Sequence, residues 1–593
     1  MRQKTLLIVC SMTAGVLMQG SVIGQQCTTP STGAAIHDAG AKRIYVDAVK
    51  GLDSSSCGEI SAACKTVMQG LKQATKYTVV DMIVNPGTYH ESISLPSEFG
   101  SASSRTLIIE AAQSGTAIID GADRWPDWKS NGDGTFSHPW QYTWGYAVQP
   151  FLKTGGPAVG CLGLRREMVF INGTQLTQVL QGPLTQAGTF FVTDGQTDSN
   201  SEDNCPALTA GERAIVIYPP VGVNISTVDV EVAVRNNLFT TGESGAQNLE
   251  LKGLVFQHDN NGANISGFAA IRIVGDNSKK LGANILLDSV TVRNNNWQGL
   301  VLHANLDITV RNSTFAANGE NGMEVYRPLN FLFTGNTVTY NNWRGLQGGL
   351  TGWDADGMKV VRAHFTEVDK SSFSNNFTGG LWFDTDSENL CVTGDTFNEN
   401  LTNGLYFEAI QGPALVYQSV FFRNHGQGLQ TANSSRITVR QSTAYDNGAN
   451  ALFIGGSATP RDVANWQNPG VNYKLLAQDW VLDGVNFASG PDTVAGSNLI
   501  GTSLDSIAPF TSTLLSNYNN WYVPNNSAFF NVPGHGKISL SDWQNLTGQD
   551  AKSSQTPVSS AALPPAPVCI GGDCGGADRS GAPNAPHGKS RRP

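Results

Sequence analysis

Charge is scarce in this chain, and positive charge most of all. Asp, Glu, Lys and Arg make up 15% of the 593 residues, with 38 basic against 48 acidic side chains and a formal net charge of -10. That balance argues against nucleic acid as a partner, because phosphate binding needs a clustered basic face; a neutral or cationic ligand is easier to accommodate. Long apolar runs are also scarce. The one present, Leu6 to about Met18, follows Arg2 and Lys4 and leads into small and polar residues through Gly24. This is the pattern of a secretory signal peptide over 1–24. The run is too short for a permanent membrane helix, and no later stretch is apolar enough to be one. The expected protein is therefore exported, soluble and not membrane-bound. Sustained helical periodicity is missing too, which excludes a helical array. No cysteine shows metal-ligand spacing, so no resident metal or cofactor is expected from them.

What is present is glycine, 65 residues of it, and a repeat. Asn295, Asn318, Asn341, Asn376, Asn400, Asn424 and Asn447 each stand four residues before a Gly or Ala, at steps of 23, 23, 35, 24, 24 and 23. Alternating apolar and polar residues follow each glycine. A period in the low twenties built from short β-runs and turn residues is one supersecondary unit stacked on itself. The fold class this predicts is all-β: a right-handed parallel β-helix with an N-terminal capping helix and an inserted β-rich domain.

Along the chain, 25–124 reads as the N-terminal cap and first coils. Arg43–Asp47 is a strand, and Cys57–Ala74 a short amphipathic helix covering the open end of the first coil. The repeat stops near Arg124, and 125–246 has the character of a small β-domain, with Trp125, Trp128, Trp140 and Trp144 crowding its start. These rings either stack on sugar or pack the domain's own core, and the second reading is the plainer one. The β-helix resumes over 247–525, a cap follows at 526–555, and the Ser-, Ala-, Pro- and Gly-rich 556–593 is expected to be disordered. With Cys10 lost in the signal, eight cysteines remain, an even count that favours disulfides in an exported chain. The local pairs are Cys57 with Cys64, Cys161 with Cys205, and Cys569 with Cys574. Cys391, inside a repeat strand, reads as a buried free thiol rather than a partner of Cys27.

Strand alternation then separates core from surface. Leu300, Met323, Met358, Leu381, Leu405, Leu429 and Leu452 form the inward column. The first outward column is Val301, Glu324, Lys359, Trp382, Tyr406, Gln430 and Phe453; the second is His303, Tyr326, Val361, Asp384, Glu408, Ala432 and Gly455. A plain solvated face would carry Ser, Thr, Asn and Lys, whereas this one carries carboxylates, aromatic rings and a lysine. Asp384 and Glu408 stand one coil apart, and a strand spacing of about 4.8 Å brings their carboxyl groups to roughly 5–6 Å. Retaining glycosidases hold theirs about 5–5.5 Å apart, inverting ones about 6.5–9.5 Å. The one long step of the ladder inserts Leu346–Asp356, which delivers Trp353, Asp354 and Asp356 to the rim of the same face.

The phrases Gly380-Leu-Trp-Phe-Asp-Thr-Asp386 and Gly404-Leu-Tyr-Phe-Glu408 resemble the paired strand motifs of exported β-helix glycoside hydrolases of the β-xylosidase type. In that group a second β-rich domain interrupts the helix. The resemblance implies Asp384 as nucleophile and Glu408 as general acid/base, acting on a polysaccharide or oligosaccharide. Trp382 and Tyr406 would form a sugar platform, with Lys359 and Glu324 orienting hydroxyls, and His303, Tyr326 and Arg327 extending the subsite. Two alternatives stand beside it. A polysaccharide lyase acting on a uronate would hold Ca2+ on Asp354, Asp356, Asp384 and Asp386 with Lys359 as base; a non-catalytic carbohydrate-binding β-helix would need neither carboxylate for its binding.

Overall fold

The computed structural model describes residues 40–194, 205–208, 212–264, 267–275, 282–488, 498–523 and 528–557. The signal segment, Cys27, Cys569 and Cys574 lie outside the described residues. Three sheets of 13 strands each run the length of the molecule, each built by pairing a strand with its counterpart one coil later. Pairing is parallel throughout them except for a closing antiparallel pair, Phe530–Val532 with Gly536–Ile538. This is the all-β solenoid that the repeat predicts.

The asparagine phrase explains itself in three dimensions. Asn295, Asn318, Asn341, Asn376, Asn400 and Asn424 each donate from Nδ2 to Oδ1 of the next asparagine at 2.8–3.0 Å. Asn400 also donates to Phe373 O at 3.0 Å, and its Oδ1 accepts from both the backbone N and the Nδ2 of Asn376. Every polar valence of the buried amide is thereby met. The glycine four residues on makes room for this. A Cβ at Gly299 would lie 2.8 Å from Asn318 Nδ2, and one at Gly404 would lie 3.0 Å from Asn424 Nδ2. Inside the coil, Phe373, Phe397 and Phe421 stack at 5.1 and 5.0 Å between centroids. The seven inward residues named above are all buried in one continuous core.

The solenoid is continuous across its interruption. Leu107 pairs in register with Leu249, Ile119 with Phe256, and Ile93 with Phe239, so the coils before and after the excursion stack directly. The excursion folds as sheets of four and five strands, joined mostly in antiparallel fashion and drawn from Ala122–Arg124 through Val230–Ala233. Trp140 is buried in its core with Val169, Phe190, Ile215 and Val232, and Trp125, Trp128 and Trp144 pack against that core. The tryptophans are structural.

Both ends are closed. The N-terminal helix is shorter than expected, Val67–Ala74, because Cys57 and Cys64 are bridged and Cys64 pairs with Val46 ahead of it. Thr66 caps it by accepting from Gln69 N, and Gly70 lets it settle so close that an added Cβ would meet Met82 Sδ at 2.7 Å. At the other end, Trp543 of the helix Leu540–Thr547 stacks on Phe530 at 4.6 Å and donates to Asp550 at 3.0 Å. The last strand, Ser554–Pro557, pairs with Asn520–Val523 and so carries order two residues into the segment expected to be disordered. Cys161 and Cys205 are bridged. Cys391 is also disulfide-bonded, not the free thiol expected of it, and its partner lies outside the described residues. Its neighbours Leu390 and Val392 point into the core, so Cys391 points outward, where another segment can reach it.

Candidate active site

The site is the outer face of one sheet. Its strands Met323–Tyr326, Asp356–Val361, Gly379–Asp384 and Leu405–Glu408 stack in register, Glu324 over Lys359 over Trp382 over Tyr406. Tyr326 and Val361 pair likewise, Val361 pairs with Asp384, and Phe383 pairs with Phe407. Asp384 and Glu408 are the next residues along, so the two carboxylates are coil-to-coil neighbours as the ladder predicts.

The face is not open, which corrects the expectation that outward residues meet solvent. Val301, Glu324, Lys359 and Trp382 are all buried. Strand parity says which way a side chain points but not what covers it. The long step supplies Asp354 against Lys359; it also forms a helix, Trp343–Gln347, that the inserted domain clasps. Arg344 donates to Glu167 O at 2.8 Å and to Gln178 Oε1 at 2.9 Å, and Gly160 N donates to Gly348 O at 2.7 Å. Trp353 remains 46% exposed at the rim, its indole so near Gly156 that a Cβ there would lie 2.4 Å from Nε1.

On this face lies an acid-rich cluster around one cation. Lys359 Nζ sits 2.7 Å from Asp354 Oδ1, 3.3 Å from Asp384 Oδ2 and 3.7 Å from the Trp382 ring centroid. Burial disfavours the ammonium, but Asp354 and Asp384 outweigh it and hold Lys359 above the usual lysine range. Glu324 accepts from Gln298 at 2.7 Å and lies 3.6 Å from His303 Nε2, whose ring is 5.5 Å from that of Tyr326. Asp356 is not on the rim. It is buried at the start of its strand, and burial, reinforced by Asp354 and Asp384 against Lys359, raises it well above the carboxylate range. Glu320, which the strand columns leave out because it precedes the strand, joins the cluster. It is completely buried, neither carboxyl oxygen has a hydrogen-bond partner, and burial followed by the charges of Asp354 and Glu324 raises it well above the usual range.

Each member of the central pair has its own cation. Asp384 takes Lys359 and accepts from Thr385 N at 2.7 Å; Glu408 is ion-paired and hydrogen-bonded to Arg461. Tyr406 stands beside both, 5.1 Å from Trp382 between centroids, and burial followed by the charges of Glu408 and Asp384 pushes its hydroxyl far above the usual tyrosine range. Arg461 escaped sequence reasoning because it sits 53 residues beyond Glu408, on the hairpin Arg461–Ala464 with Asn472–Leu475. The signal was available: after Asn447 the ladder lapses, and the strand that follows Asn450–Gly455 in this sheet begins only at Asn498.

The four carboxylates of the lyase reading are not brought together. Asp386 is turned away, its oxygens accepting from Trp466 N at 2.7 Å and Gln411 Nε2 at 2.9 Å, while Asp354 and Asp384 share Lys359. Among the described residues no three His, Cys, Asp or Glu side chains converge as a metal site requires. The residues present do not fit Ca2+.

A family model described as a right handed beta helix region matches residues 269–443 and 350–469. The chain is a right-handed parallel β-helix. Among solved structures, a complex of XylC with xylose shares 12% identity over 87% of this chain and 86% of that one, with a TM-score of 0.62. The A-module of mannuronan C-5 epimerase AlgE6 from Azotobacter vinelandii shares 11% over 84% and 95%, with a TM-score of 0.44. A structure named glycoside hydrolase shares 12% over 70% and 95%, with a TM-score of 0.42. At such identities the likeness is one of fold. No curated protein sequence matches the chain.

Proposed function

We propose that this protein is an exported carbohydrate-active enzyme, and specifically a retaining glycoside hydrolase. The observation that carries the reading is the adjacency of Asp384 and Glu408 on neighbouring coils, each with its own cation, beside the paired rings of Trp382 and Tyr406. Trp382 is buried under Lys359, but the half-buried Tyr406 ring beside the carboxylates suits a pyranose, and the β-helix that shares this fold over most of its length was solved with xylose bound. Export is supported by the three disulfide-bonded cysteine sites, and no helix among the described residues is long and apolar enough to cross a membrane.

The mechanism is a double displacement. Asp384 attacks the anomeric carbon as the bond to the leaving oxygen breaks, and Glu408 delivers its proton to that oxygen. Glu408 then takes a proton from water, whose oxygen attacks the anomeric carbon and releases Asp384. Lys359, 3.3 Å from Asp384 Oδ2, aims the nucleophile. Arg461, ion-paired with Glu408, fixes where that carboxyl group points in both steps. The test is a screen of plant and bacterial polysaccharides with product analysis. Wild type should release sugars with the anomeric configuration kept, and Asp384→Asn and Glu408→Gln should each lose about 10²-fold or more in kcat. Turnover unchanged in both variants would overturn the assignment.

A further inference from the structure

We propose that Arg327 and Arg362 form an anion subsite beside Asp384, which takes the carboxylate of a uronic acid unit in the glycan. The proposal rests on the reading of this face as the glycan site and narrows its substrate class.

Three observations carry it. First, the two arginines take the same turn position on adjacent coils. They follow Tyr326 and Val361, which are register partners on adjacent coils, and both have left-handed backbone, φ 54° and 57°. Their backbones therefore lie about one strand spacing apart, roughly 4.8 Å, and like charges set opposite each other this way are unfavourable unless an anion joins them. Second, no carboxylate of the described residues compensates them. Lys359 is held by Asp354 and Asp384, and Arg461 by Glu408, whereas neither Arg327 nor Arg362 takes part in an ion pair. Both Asp386 oxygens are engaged by Trp466 and Gln411, and Glu388 faces His364 at 3.4 Å. Third, Arg327 is built in. Its guanidinium lies 5.0 Å from the Tyr326 ring and 5.8 Å from the Trp466 ring, and its Nε–H is buried with no acceptor in reach. A buried donor left without an acceptor is unfavourable, so the site is built for a group that is absent from the chain itself.

The placement relative to the chemistry is direct. Arg362 N donates to Asp384 O at 3.3 Å and to Thr385 O at 3.0 Å, so the second arginine is bonded to the end of the strand that carries the nucleophile. Trp466 Nε1 donates to Arg362 O at 2.9 Å, which brings the Arg461 hairpin over the same turn. Between Tyr326 and Asp384 the column holds only the small Val361. Guanidinium matches carboxylate in a planar two-point contact, and aromatic rings on either side fix its plane. The overall charge of -10 makes two arginines without a carboxylate partner the more specific. The composition by itself favours a neutral or cationic ligand, and this turn column reverses that preference.

The test uses the full chain carrying Asp384→Asn, which binds without turnover, and calorimetry with three acidic probes: oligogalacturonides, oligomannuronates and glucuronic-acid-bearing xylo-oligosaccharides. Each is compared with its own carboxyl-reduced form. At least one acidic probe should bind about 10- to 100-fold more tightly than its reduced form. The preference should fall to about twofold or less in Arg327→Gln/Arg362→Gln, and part of it should return in Arg327→Lys/Arg362→Lys, which controls for folding. Equal binding of every acidic and reduced pair, binding of none of the probes, or a preference that survives the double Gln change would each overturn the subsite. The hydrolase reading fails separately: wild type that binds an acidic probe with the expected preference yet never cleaves it contradicts the hydrolase and supports the subsite. Cleavage of neutral glycans with no acid preference does the reverse.

Discussion

Replacing Lys359 with Met probes the electrostatic centre of the site. The ammonium lies 2.7 Å from Asp354 and 3.3 Å from Asp384, with Glu320, Glu324 and Asp356 buried nearby. At an effective dielectric of about 20, unit charges at those separations attract by roughly 6 and 5 kcal/mol before desolvation is subtracted. Removing one partner of a buried pair costs about 3–5 kcal/mol, because the other charge is stranded. A solenoid does not unfold as one unit, so the loss should be read locally by hydrogen exchange over the coils from Met323 to Glu408. Protection there should fall by about 10²- to 10³·⁵-fold, with coils near Val46 unchanged. Lys359→Met/Asp354→Asn should regain part of it, since one stranded charge is removed with the ammonium. Turnover of any glycan substrate should fall about 10²- to 10³-fold. Protection within about 0.5 kcal/mol of wild type would refute the claim that one lysine organises the cluster.

Glu320 supplies a pH prediction. Its folded pKa is raised well above that of the unfolded chain, so the native state binds the extra proton. Stability is full below the ordinary carboxylate pKa and is lost as pH rises toward the raised value, at about 1.4 kcal/mol per pH unit. Glu320→Gln, neutral at all pH, should flatten that decline and be the more stable form at neutral pH in hydrogen exchange over the same coils; a parallel decline in both would count against a buried neutral acid. Asn400→Ala removes a buried amide with four hydrogen bonds and strands the facing groups of Asn376 and Asn424. A cost of about 2–4 kcal/mol in local exchange free energy is expected, and a cost below about 1 would show the ladder to be incidental.

The ladder was legible because its cause is local and repeated. A buried amide at each turn, and a glycine four residues on to let the next one pass, leave a period that no single coil could reveal. The same period set the strand register, and so the adjacency of Asp384 and Glu408. The rest depended on what lies over a strand. Parity placed Lys359 and Glu324 outward but could not show that both are buried, Lys359 against Asp354 and Glu324 against Gln298. The long step set Asp356 on the rim, although that residue is buried at the base of its strand, and the lyase reading grouped Asp386 with carboxylates from which Trp466 and Gln411 turn it away. Glu320 lies in a turn and Arg461 on a distant hairpin, so neither belongs to a strand column. Parity applied to Cys391 would have placed it on the outer face, where a disulfide can form. Arg327 and Arg362 occupy one turn position on adjacent coils, a second column readable only once the strand ends are known.

The most direct measurement is mass spectrometry of the protein after incubation with a 2-deoxy-2-fluoro glycoside of the sugar it releases, a reagent that stalls the covalent intermediate of a retaining enzyme. A glycosyl adduct on the peptide containing Asp384 is predicted. An adduct on any other residue, or a product of inverted configuration formed with no adduct, would contradict the account.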